Sequence, residues 1–121
     1  MKPLLAKNLQ SFLERFDNFK DGEFRSIEVI SPTTMLVTFA GQDSGREFNW
    51  VSVKFEFSEV SEARLLENTK LSFVDMSEGI SITYDDDKFA FGIGESYNIS
   101  STKNSICHMI CSNMKYQESE F

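Results

Sequence analysis

The chain has 121 residues, of which 40% are hydrophobic and 26% charged, with a formal net charge of −7. That balance suits one globular domain, long enough to bury a core without disulfides or a structural metal. The negative charge opposes attraction to nucleic acid phosphates and anionic lipid, and no apolar run approaches the ~20 residues that span a bilayer.

The apolar stretch in Met1–Asn8 is too short for a signal peptide core, so a cytoplasmic location is expected. Residues 3–19 read as a helix: Leu5, Leu9, Phe12, Leu13, Phe16 and Phe19 recur at three- and four-residue spacing. Pro3 fits a first turn, and Asp21-Gly22 is a stop signal. From Glu23 the period changes to two. Phe24–Val29 and Met35–Phe39, separated by Ser31-Pro32-Thr33, predict a hairpin. Gly41–Gly45 reads as a loop. Val51–Phe57 alternates apolar and polar residues throughout, the pattern of a strand with one buried face.

Ser58–Glu67 is expected to form a short second helix capped by Ser58 or Ser61. Leu71–Val74, Gly79–Tyr84 and Phe89–Ile93 read as strands, with Asp85–Lys88 turning the chain between the last two. Ser100–Asn104 reads as a polar loop, Ile106–Met114 as a last strand, and Gln117–Phe121 as a frayed tail. Together these elements predict an α+β domain over residues 1–121. Its N-terminal amphipathic helix packs on a mostly antiparallel β-sheet of six to seven strands, with the short second helix midway. The 12 phenylalanines are expected to fill its core.

Several clusters invite a chemical reading. Cys107-His108-Met109-Ile110-Cys111 contains both cysteines and the one histidine, but strand alternation sends His108 away from the thiols. Zinc needs three or four converging ligands, so buried, unbridged thiols are expected instead. The same divergence argues against a Cys–His nucleophile pair. Asp17, Asp21, Gly22 and Glu28 fall at calcium-loop positions, yet Phe19 stands where an oxygen ligand is required. Gly92-Ile93-Gly94 lacks the third glycine of a dinucleotide fingerprint and suits a bulge or close backbone packing. Asn98-Ile99-Ser100 matches a glycosylation sequon. No cofactor, metal or catalytic residue is therefore expected. The residues singled out as a partner surface are Trp50 with Arg46, an aromatic anchor beside a cation, and the acidic turn Asp85, Asp86 and Asp87.

Phe19–Val29, the Val51–Phe57 strand and Ser61–Leu66 together resemble small acidic bacterial proteins of the immunity or uncharacterised-domain type. That resemblance implies a protein that binds and blocks a toxin, and it carries no residue-level role. The resulting expectation is a non-catalytic protein-binding module with a protein partner, basic in character. A small-molecule or carbohydrate-binding domain is the alternative, followed by an enzyme that works with carboxylates.

Overall fold

A computed structural model describes residues 1–121 and is α+β, with two antiparallel sheets. The strands in chain order are β1 Lys2–Pro3, β2 Glu23–Ser31, β3 Thr34–Asp43, β4 Asn49–Ser58, β5 Glu62–Arg64, β6 Ile80–Asp85, β7 Lys88–Ile93, β8 His108–Cys111 and β9 Asn113–Glu120. The five-stranded sheet runs β1-β9-β4-β3-β2, and the four-stranded sheet β5-β8-β7-β6. Helix α1 spans Leu9–Arg15 and α2 spans Ile99–Thr102.

The alternation in β4 explains the layering. Val51, Val53, Phe55 and Phe57 are buried on one face, while Ser52, Lys54 and Glu56 are half-buried on the other. The inner face of this sheet meets the second sheet through phenylalanine: Phe91 of β7 lies 5.8 Å from Phe39 and 5.1 Å from Phe57. Helix α1 covers the remainder of the same face, with Phe12 against Phe55 at 5.9 Å and Tyr116 at 4.6 Å. Phe12, Phe16, Phe19, Phe24, Phe39, Phe55, Phe57, Phe89 and Phe91 are all buried, so the phenylalanine content does build the core. Ring–ring contacts of this kind add to the area buried. No helix is long and apolar enough to cross a membrane.

The N-terminal helix is shorter than its stripe suggests. Lys2 and Pro3 pair with β9 instead of starting a helix, and Ala6–Asn8 is a 3₁₀ turn leading into α1. Leu5 is exposed, and Leu4 takes the buried place. The helix stops at Phe16 because Asp17, Asn18 and Phe19 adopt left-handed backbone. That turn stacks Phe19 on Phe16 at 4.7 Å and aims it at Phe39 and Phe55.

Other expectations are corrected. Ser58–Glu67 is not a helix: residues 62–64 form β5, because the outer edge of β8 offers backbone partners that a solitary helical turn lacks. Leu71–Val74 is not a strand; Asn68–Phe73 is 3₁₀ with only Leu71 buried. The loop at residues 41–45 gives way to β3, which continues to Asp43. Ser100–Asn104 is largely helical, opened by an Asn98 side chain that accepts from the Ser101 amide. The expected last strand is two, since the chain passes from one sheet to the other at Ser112. The tail is not frayed: β9 lies between β1 and β4, pairing Val51 with Glu120 through Ser58 with Asn113.

Candidate functional site

The structure separates the residues expected to share a partner surface. Trp50 opens β4 in the five-stranded sheet, and Arg46 lies in the 3₁₀ turn before it. Asp85, Asp86 and Asp87 sit at the β6–β7 hairpin of the other sheet. Positive φ at both Asp86 and Asp87 marks a type I′ turn, which favours aspartate. Tyr84 donates its hydroxyl to Asp87 at 3.2 Å.

Arg46 belongs to a structural ion cluster. Asp43 is fully buried, and its carboxylate accepts from Arg15 Nη2 at 2.6 Å and from the Gly45 amide at 2.9 Å, with Arg46 Nε at 3.5 Å. Arg15 Nη2 also donates to Glu118 at 2.5 Å. These bonds tie the end of α1 to β3 and β9. Trp50 stays accessible on the outer face of its sheet, 5.5 Å from the Phe121 ring, over which Arg25 lies at 4.9 Å.

Beside Trp50 runs a cleft of about 420 Å³ between the end of α1 and the β3–β4 connection, with Phe48, Trp50, Gln42, Arg15 and Lys20 in its walls. Asp17, Asn18, Phe19, Asp21, Glu47 and Phe48 all have left-handed backbone, and they belong to the two segments that border it. Such conformations cost ~1–3 kcal/mol each and tend to gather at functional sites.

A second concavity follows the free edge of β6. It consists of two adjoining hollows, about 250 and 520 Å³, that share Leu13, Asn18, Ile82 and Thr83. Leu9 and Leu13 of α1 form an apolar wall, and Ile80 and Ile82 line the strand side. Every charged residue lining it is acidic: Glu14, Glu78 and Glu95. None of these pairs with a cation, nor do Asp85, Asp86 or Asp87 at the end of the strand. The Thr83 hydroxyl is buried without a hydrogen-bond partner, an uncommon and costly condition for a polar atom.

The sheet edges differ in how they are treated. β1 has two residues and β5 three. On the β2 edge, Asn68 accepts from the Ile27 amide and donates to its carbonyl, both at 2.9 Å. The ladder of β2 with β3 is also irregular at Arg25 and Ile30. Short strands, covering groups and bulges are the usual means of blocking strand edges. β6 pairs with β7 through six unbroken positions and has no neighbour on its other side.

The cysteine–histidine segment is part of the core. Residues 107–111 are all buried, and burial pushes the thiol of Cys107 up to about 11 and that of Cys111 to about 12. Both thiols are free. His108 turns its Nε2 toward Glu62 at 3.2 Å. No three His, Cys, Asp or Glu side chains gather as a metal-binding group. Gly92 packs under α2, where a Cβ would meet Thr102 and Ser105, in keeping with close packing at that glycine.

Sequence reasoning picked out the hairpin aspartates but missed Glu14, Glu78, Glu95 and Thr83. The six carboxylates come from α1, the segment before β6, the hairpin and the segment after β7. Only the unpaired edge of β6 relates them, and alternation within one strand carries no sign of which strand will be an edge. No family model matches the sequence, and no curated protein or solved structure matches it.

Proposed function

We propose that this chain is a non-catalytic protein-binding module that takes a basic partner in the groove along β6. The observation that carries the reading is the groove's charge. Glu14, Glu78 and Glu95 line it, the aspartate turn follows directly after Tyr84 of its wall, and no lysine or arginine shares its walls. A chain of net charge −7 adds a long-range field of the same sign, which speeds encounter with a cationic partner. Leu9, Leu13 and Ile82, core residues each no more than 7% exposed, form the apolar floor beneath the acidic rim. In its narrower form the module is a cytoplasmic inhibitor that covers a basic surface of a toxin, the role that the immunity-type resemblance implies.

Titration calorimetry with capped hexapeptides of alternating lysine–valine and glutamate–valine tests the reading. The lysine peptide is expected to bind with an affinity that falls as salt rises, and the glutamate peptide to show no heat. The double variant Glu14→Lys/Glu95→Lys changes two exposed side chains. It should keep the wild-type melting temperature and lose about tenfold or more in affinity. Equal binding of both peptides, or none by either, sinks the reading.

The cleft at Trp50 favours a second reading, a small-molecule or carbohydrate site. Phe48 and Trp50 offer aromatic faces beside the Gln42 amide and the charged groups of Arg15 and Lys20. Trp50 is the one tryptophan in the chain, so the protein's tryptophan fluorescence reports on this residue's surroundings. A saturable emission shift on titration with neutral oligosaccharides supports the second reading; an unchanged spectrum across the series removes it.

A further inference from the structure

The binding mode follows from the hydrogen-bond phase of β6, and the inference rests on the reading just given. Gly94 donates its amide to the Gly79 carbonyl at 2.8 Å, so position 79 is a bonded position of the hairpin. Ile93, which faces Ile80 in the register, turns its amide away toward Cys107 and Ser105 and accepts from the Ser105 hydroxyl. Bonded and non-bonded positions alternate along an antiparallel pair. Ser81, Thr83 and Asp85 therefore bond to β7, while the amides and carbonyls of Ile80, Ile82 and Tyr84 face outward. No backbone or side-chain group of the protein bonds to these outward atoms. The chain closes over the first part of the strand: a Cβ on Gly79 would collide with the backbone of Asn18 and Lys20, and Ile80 is only 2% and Ile82 6% exposed, whereas Tyr84 is 43% exposed. The edge meets the groove from Ile82 and opens at Tyr84.

From these relations we infer that a basic, extended peptide segment adds to β6 as a fifth strand of the smaller sheet, under the α1 wall. Strand addition supplies partners for the outward backbone groups, and alternate side chains read the two sides of the edge. The two outward positions nearest the groove, Ile82 and Tyr84, call for about three to four peptide residues in register. One set of peptide side chains meets the apolar hollow between Leu9, Leu13 and Ile82. Lysines or arginines flank it, reaching Glu14 on one wall and Glu78 and Glu95 toward the start of the strand. A second copy of this chain does not fit the site, because two grooves bearing unpaired carboxylates repel each other.

The experiment uses the full chain and the capped lysine–valine hexapeptide. Two twins of the peptide carry N-methyl groups, one at every lysine amide and one at every valine amide. Methylation removes the donors of one strand edge and leaves charge unchanged. Strand addition requires at least one twin to bind about tenfold or more weakly. It also requires amide hydrogen exchange of Ile82 and Tyr84 to slow when the unmethylated peptide is bound. If both twins bind like the parent, and exchange at Ile82 and Tyr84 is unaltered, strand addition is wrong while the acidic-groove reading survives. Absence of binding by the unmethylated lysine peptide overturns both. Slow exchange at Ile82 and Tyr84 in the protein alone, deepening with protein concentration, assigns the edge to a second copy and overturns the peptide occupant.

Discussion

Arg15 Nη2 and the Asp43 carboxylate meet at 2.6 Å across 28 positions of sequence, and the carboxylate is fully buried. The Arg15 hydrogen bond is the largest influence on Asp43 and holds its carboxyl below the ordinary range. Burial works against it, and the Gly45 amide works with it. A carboxyl whose folded value is depressed contributes stability above its unfolded value, about 3.9, and loses it as pH falls through the folded value. Asp43→Asn should cost about 2–4 kcal/mol at neutral pH, the higher figures belonging to pairs left wholly uncompensated. Glu118 still neutralises Arg15 in the variant. The gap between the two proteins' denaturant midpoints, measured from pH 7 down to pH 2, should start to close at about pH 4 and keep closing as pH falls through the depressed folded value. A constant gap across that range would show that the carboxylate charge contributes nothing.

Phe12 joins the helix to both β4 and β9. Phe12→Ala should cost ~3–5 kcal/mol, since the ring is buried against Phe16, Phe55 and Tyr116. Urea melts followed by circular dichroism measure this directly. A near-native midpoint with an altered sedimentation coefficient would make the helix a docking arm instead of part of the core.

Asn68 imitates a strand on the β2 edge through its two bonds to Ile27. Asn68→Ala leaves that amide and carbonyl open and should cost about 1–2 kcal/mol. The uncovered edge should also make the variant self-associate at high concentration, which sedimentation velocity detects. A strictly monomeric variant of wild-type stability would show that the bulges alone protect this edge.

The two thiols should be chemically silent in the folded protein. Burial raises both well above neutrality, and thiolate is the reactive form. Alkylation at pH 8 should label neither Cys107 nor Cys111 within minutes and label both in urea. Rapid labelling without denaturant would place at least one thiol at the surface.

Within each element, local pattern was informative. The β2–β3 hairpin, β4, and the β6–β7 hairpin with its aspartate turn follow from period-two alternation and turn residues, because each is built from neighbours in sequence. The readings that failed depended on distant partners. Residues 62–64 are a strand because β8 lies beside them. The C-terminal residues are ordered because β1 and β4 flank them. The break after Phe16 is decided by where Phe39 and Phe55 wait for Phe19.

Composition and short-range order suffice for the α+β class, the phenylalanine core, the two-faced alternation of β4 and of the first part of β3, and the negative charge. Long-range contacts alone divide the strands into two sheets, bury Asp43 as an anchor and leave β6 without a neighbouring strand beside an acidic groove. The reason is physical. A strand's alternation states which face is buried, but its outward amides carry the same chemistry whether another strand, an Asn68 side chain or nothing at all stands beside them.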